Sequence, residues 1–147
     1  MENIFEIKFT FEQKMKEAII EKFATKQGGN FNVFTYYWQC FAWAATIGFF
    51  YNEKRQLISP PADKPFNLNT MRNNNGEKIA QALICLCVSK TGSLDILKEP
   101  KNAVDLINEY ANGGFYYIQK LMDNGENSFN DLEKIKQEIF KREVSVA

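Results

Sequence analysis

Polar and apolar residues alternate near the start of the chain. Phe5, Ile7 and Phe9 are separated by Glu6 and Lys8, which is the period of a half-buried strand. The rest of the chain follows a different period, with apolar residues recurring every three or four positions as in amphipathic helices. We therefore predict a mainly α-helical, compact domain with a short N-terminal β-strand.

Helix boundaries can be predicted from capping residues and glycines. Thr10, with Gln13 three residues later, matches a capping box, and Gly48 is a plausible end for the second helix. Pro100 suits the first turn of a later helix, where its missing N–H costs nothing. The predicted helices cover residues 11–26, about 30–46, 77–90, about 100–121 and the segment from Ser128 onward, with a short turn at 94–97 capped by Ser93 after Gly92.

Residues 52–76 differ in composition from the helical segments on either side. They contain three of the four prolines and the run Asn73-Asn74-Asn75-Gly76, which indicates a long surface loop. No repeat or second unit is visible, and 147 residues suit one domain. The chain is predicted to be a single helical domain over residues 1–147, with this loop inserted.

Composition excludes several familiar kinds of chemistry. The chain has no histidine, so the usual general base and the commonest metal ligand are absent. Its formal net charge is zero, which gives no overall attraction to nucleic acid or to an anionic membrane. The segment 31–51 is apolar but interrupted by polar residues, and a buried helix is favoured over a membrane span.

The cysteines and carboxylates offer little candidate chemistry. Cys40, Cys85 and Cys87 lie in apolar runs, and with no visible secretory signal they are interpreted as reduced, buried thiols of a cytoplasmic protein. Acidic residues such as Glu12 alternate with lysines and are interpreted as solvated helix faces. Glu109, beside an aromatic residue and a glycine pair, is the carboxylate with the best case for a role. We predict no catalytic residue, no cofactor and no metal site.

One strand followed by two helices also resembles a ribbon-helix-helix unit. Such proteins pair the strand with its twin in a homodimer and place the ribbon in the DNA major groove. Lys8 and Thr10 would then face DNA, although Glu6 would be repelled by the backbone. The alternative is a strand that pairs within its own domain.

Three strings in the chain resemble one small protein family. They are FAWAATIG at residues 41–48, SKTGSLDIL at 89–97 and INEYANGGF at 107–115. The chain is similar here to DNA phosphorothioation-associated protein 4, found beside the Dnd sulphur-modification genes of bacteria. The most specific string contains Glu109, Tyr110, Asn112, Gly113 and Gly114, which we take as an interface or structural motif. The two glycines indicate either a kink or a neighbour too close for a side chain.

The resemblance implies an accessory protein of a DNA modification or restriction locus and supplies no catalytic residue. The leading hypothesis is a non-enzymatic adaptor that acts through interfaces with proteins of the same locus, without contact with a membrane. One alternative is a dimeric, ribbon-helix-helix-like regulator that binds DNA. Another is a nuclease that uses carboxylates such as Glu109 with a divalent ion.

Overall fold

The computed structural model describes residues 3–24, 33–63 and 65–124, and the helix predicted from Ser128 lies outside these ranges. The described chain is mainly helical, and its first helical segment, α1, has three consecutive parts. These parts are the α-turn Gln13–Met15, the π-helical stretch Lys16–Ile20 and the α-turn Glu21–Phe23. The remaining elements are α2 (Tyr37–Tyr51), α3 (Leu68–Asn73), α4 (Glu77–Thr91), a 3₁₀ turn (Leu94–Lys98) and α5 (Pro100–Asp123).

The predicted N-terminal strand is not formed, so that part of the fold prediction is wrong. Residues 4–6 form a turn, and Phe9 makes one isolated antiparallel bridge to Phe66 of the same chain. The alternation of the segment reflects its burial: Phe9 and Phe11 are buried in a cluster of aromatic rings with Phe41 and Phe66. Packing of these rings satisfies the apolar pattern without a sheet.

Helix α1 begins later than its predicted capping box. Its N-cap is Glu12, not Thr10, because residues up to Glu12 are extended against residues 60–62 and Phe66 through bonds such as Ala62 N–H to Phe11 O. In the π-helical stretch each turn contains about one residue more than in an α-helix. Two consecutive residues of this stretch, Ile19 and Ile20, are both buried.

Helix α2 is the central helix, but its predicted boundaries are shifted. It begins at Tyr37, where the Gln39 side chain accepts bonds from the N–H groups of Thr35 and Tyr36. It ends at Asn52, in the left-handed conformation with φ 56°. Gly48 lies inside the helix and does not end it. This glycine instead allows the backbone of another helix to pack closely against α2.

Helices α2 and α5 cross closely through small residues. A Cβ added to Gly48 would collide with the Tyr110 carbonyl, and one added to Gly114 would lie 2.6 Å from the Ala44 carbonyl carbon. Gly113 is equally close to the Glu53 carbonyl. The glycine pair therefore marks a place where neighbouring backbone comes too close for a side chain, which is the second of the two predicted alternatives. Helix α5 continues through both glycines without interruption.

The segment 52–76 is partly structured rather than a plain loop. Its second half contains α3, capped by Asn67, whose side chain accepts the Thr70 N–H. Phe66, Leu68 and Met71 from this segment are buried in the core.

The C-terminal half of the described chain agrees closely with its prediction. α4 ends at Gly92 with φ 76°, the Ser93 hydroxyl accepts the Asp95 N–H, and Pro100 occupies the first turn of α5. These boundaries depend on local capping chemistry. No helix within the described ranges is both long and apolar enough to cross a membrane.

Candidate functional site

Three polar side chains form a row along the buried side of α5. Asn108, Asn112 and Tyr116 are spaced by four residues, which places them on one face of the helix. Asn108 and Asn112 are only 6% and 2% exposed. A polar row inside a core costs free energy unless each group finds a partner. Each member of this row forms a hydrogen bond with a distant part of the chain, while the Asn112 Oδ1 has no partner among the described residues.

The two asparagines connect α5 to the N-terminal segment and to the segment after α2. The Asn108 side chain accepts the Thr10 N–H at 3.2 Å and donates to the Thr10 hydroxyl. The Asn112 amide donates to the carbonyls of Arg55 and Gln56, the latter at 3.1 Å.

Glu12 is a fully buried carboxylate, with 0% exposure. Its Oε2 accepts the N–H groups of Ile58 and Ser59 at 2.9 and 3.1 Å, and its Oε1 accepts the Tyr116 hydroxyl at 2.9 Å. Burial by itself would raise the pKa of Glu12, but these bonds, together with nearby Lys14, lower it below the ordinary value. The expectation of a solvated Glu12 is therefore wrong.

These bonds hold residues 53–59, which we call the anchored loop. Glu53 N–H donates to Gly48 O at the end of α2, and Arg55 N–H donates to Glu109 O on α5. Asn112 and Glu12 then hold its middle and its far end. The backbone is fixed at five positions, yet the Ile58 side chain is 82% exposed.

An open pocket of about 630 Å³ lies beside the anchored loop, at the end of α5. Its cationic lining residues are Lys14, Arg55 and Lys120, and its acidic one is Asp123. The Arg55 guanidinium carbon and Lys14 Nζ lie 4.1 and 4.8 Å from the centre of the Tyr116 ring, within range of cation–π attraction. A hydrogen bond with Tyr116 raises the pKa of Lys14, so its ammonium stays charged.

The predicted DNA-facing residues do not form one surface of a ribbon. Lys8 is exposed, but Thr10 is half-buried and bonded to Asn108. Because the strand is absent and Phe9 pairs with its own chain, the ribbon-helix-helix arrangement of these residues is not formed.

The residues of the Glu109–Gly114 string are placed together on α5 but have separate roles. Glu109 contributes its carbonyl to the anchored loop, and Asn112 contributes its amide. Tyr110 stacks on Phe49 at 4.2 Å, and the glycines allow close backbone contact. All five are thus involved in positioning α5 against α2 and the anchored loop.

The three cysteines do not share one environment. Cys40 and Cys87 are buried, as predicted, and burial raises the pKa of both thiols, that of Cys87 to about 11. Cys85 is exposed, so its predicted burial is wrong; residues two apart on a helix point to nearly opposite sides. Within residues 3–24, 33–63 and 65–124, no group of three His, Cys, Asp or Glu side chains is placed to hold a metal ion.

Sequence reasoning missed Glu12, Arg55 and Tyr116. Glu12 and Tyr116 are 104 positions apart, and their contact depends on tertiary packing. The spacing of Asn108, Asn112 and Tyr116 was a usable signal, because a polar row at four-residue intervals in an apolar helix requires buried partners.

The fold and site define a helical protein with a preformed loop and a cationic pocket beside it. The chain belongs to the family described as DNA sulphur modification system-associated protein 4, whose model matches residues 12–145. The family's name links the chain to a DNA sulphur modification system. No curated protein and no solved structure matches the chain.

Proposed function

We propose that the chain is a non-enzymatic accessory protein of the DNA sulphur modification system. It acts in the cytoplasm as an adaptor, through an interface with another protein of the same modification or restriction locus. The observation that carries this proposal is the exposed Ile58 side chain on the anchored loop.

A fixed loop lowers the entropic cost of binding. The Ile58 and Ser59 N–H groups are bonded to the buried Glu12 carboxylate, so little backbone freedom remains to be lost when a partner docks. The 82% exposed Ile58 side chain offers apolar area to an isoleucine-sized socket. Full burial of such a side chain contributes about 1.5–3 kcal/mol, or roughly 10- to 100-fold in affinity.

The charged side chains of the anchored loop bear on the partner's chemistry. Glu53 and Lys54 are both exposed on this loop, so charged residues of both signs at the edge of the partner's apolar socket would complement it. An apolar centre with a charged rim is typical of protein interfaces.

Co-purification tests this proposal. The tagged chain would be expressed together with the other proteins of its locus and purified with nuclease treatment, so that DNA cannot bridge them. Wild type is expected to retain a locus protein, and Ile58→Ser is expected to lose it. Leu94→Ser is the matched control, because Leu94 is 70% exposed but lies on the 3₁₀ turn.

Two results would contradict the adaptor. One is the absence of any retained locus protein with the wild-type chain. The other is equal retention of the locus protein by Ile58→Ser and by wild type, when Ile58→Ser unfolds at the same temperature as wild type.

A further inference from the structure

The pocket beside the anchored loop has features of an anion site. We propose that Lys14, Arg55 and Lys120 bind a backbone anion of DNA, a phosphate diester or its sulphur-substituted form. The proposal goes beyond the adaptor function and does not depend on Ile58. It relies on the family only for the choice of DNA as the source of the anion.

Two of the cations are gathered on one aromatic ring. Arg55 and Lys14 both lie within 5 Å of the centre of the Tyr116 ring, so one aromatic side chain positions two cations of the pocket. The hydrogen bond with Tyr116 and the charge of Glu12 raise the pKa of Lys14, whereas Arg55 lowers it, and the net shift is upward, so Lys14 stays charged. An anion in the pocket would be attracted by both cations.

The carboxylates near the pocket form hydrogen bonds with neutral groups. Glu12 accepts bonds from two loop N–H groups and the Tyr116 hydroxyl. Asp123 accepts a 2.7 Å bond from Gln119 on its own helix. In the part of the chain that the structure describes, no carboxylate forms a salt bridge with any of the three cations.

Three other lysines of the described chain have an acidic partner. Ion pairs join Lys16 to Asp63, Lys98 to Asp95 and Lys101 to Asp105, at 3.5, 3.1 and 2.6 Å. Lys14, Arg55 and Lys120 form no such ion pair in the described residues, and all three line one pocket.

The form of the pocket suits a chain-like ligand better than an enclosed small molecule. In the described part of the chain the pocket is open along the end of α5, so that a nucleic acid backbone can enter from the side. Arg55 offers the planar fork that binds two oxygens of a phosphate group, and the lysines add point charges. Met15 and Ala18 supply an apolar wall beside the cations, where a weakly hydrated sulphur atom would be accepted.

Fluorescence anisotropy with the purified full chain tests the site. The probes are a labelled 20-base-pair duplex with an ordinary backbone and the same duplex carrying phosphorothioates, each titrated at several salt concentrations. Arg55→Gln and Lys14→Gln are expected to weaken binding roughly tenfold each and to reduce the salt slope by about one. Lys78→Gln is the control, because Lys78 is exposed on α4, away from the pocket.

The two duplexes separate the two forms of the anion. Equal binding supports recognition by the cations alone, and tighter binding of the sulphur-substituted duplex supports a contribution from the apolar wall. Failure of wild type to bind either duplex would overturn the proposal. So would a loss for Lys78→Gln as large as that for Arg55→Gln. If Ile58→Ser no longer retains locus proteins but still binds DNA, the anion site and the adaptor interface are separate, and each proposal is supported by its own assay.

Discussion

Substitution of Gly114 by alanine tests the close contact between α2 and α5. The added Cβ would lie 2.6 Å from the carbonyl carbon and 3.1 Å from the Cα of Ala44, where ordinary contact begins at 3.4 Å. The nearest obstacle is the Ala44 carbonyl oxygen, which belongs to the helix backbone, so the two helices must separate by roughly 1.5 Å across a packed core. Overpacking of this kind costs about 1–3 kcal/mol and occasionally more.

Helix propensity acts in the opposite direction for this substitution. Alanine is favoured over glycine inside a helix by about 1 kcal/mol. Because the clash is with backbone, we expect an overpacking cost at the upper end of its range, about 3 kcal/mol, which exceeds the gain and leaves Gly114→Ala less stable by about 2 kcal/mol. Urea unfolding followed by circular dichroism measures the change.

Gly92→Ala provides the comparison for Gly114→Ala. A Cβ at Gly92 meets nothing within 4 Å, but φ is 76°, so this substitution costs only the left-handed conformation, about 1–2 kcal/mol. The loss of stability at position 92 should disappear in Gly92→Asn, since asparagine tolerates the left-handed backbone conformation. A Gly114→Ala variant as stable as wild type, or more stable, would refute the account of the α2–α5 crossing.

Two further predictions concern ionisable groups. Because folding lowers the pKa of Glu12, its ionised form contributes stability at pH values above the ordinary pKa of 4.5, and this stability is lost as pH falls through the folded pKa. Glu12→Gln should therefore flatten the decline in the free energy of unfolding from about pH 6 to about pH 3. An unchanged acid profile would contradict this. Among the three cysteines, Cys85 alone is exposed, so a thiol reagent at about pH 8 should label one thiol rapidly in the native protein and three after unfolding; rapid labelling of Cys40 would contradict its burial.

Local capping chemistry explains which parts of the fold were predictable. Gly92, Ser93 and Pro100 specify the end of α4, the 3₁₀ turn and the start of α5 through bonds between neighbouring residues. These capping interactions join residues close in sequence and need no distant partner, and the boundaries that they predict agree with the structure.

Long-range contacts explain the predictions that were wrong. The alternation at Phe5, Ile7 and Phe9 predicts a strand, but the segment pairs at isolated positions, and the Phe9 ring packs on Phe41 of α2 and on Phe66. Glu12 has the sequence context of a solvated residue. Its burial depends on Ile58, Ser59 and Tyr116, which only the tertiary fold brings to it.

The central claim is that Glu12 and α5 hold the anchored loop in a preformed, binding-ready conformation. Amide hydrogen exchange at Ile58 and Ser59, followed by NMR in the unbound protein, tests it most directly. Both amides are expected to exchange slowly in wild type and much faster in Glu12→Ala, while amides in the middle of α4 keep their protection. Rapid exchange of Ile58 and Ser59 in the folded wild-type protein would contradict the account.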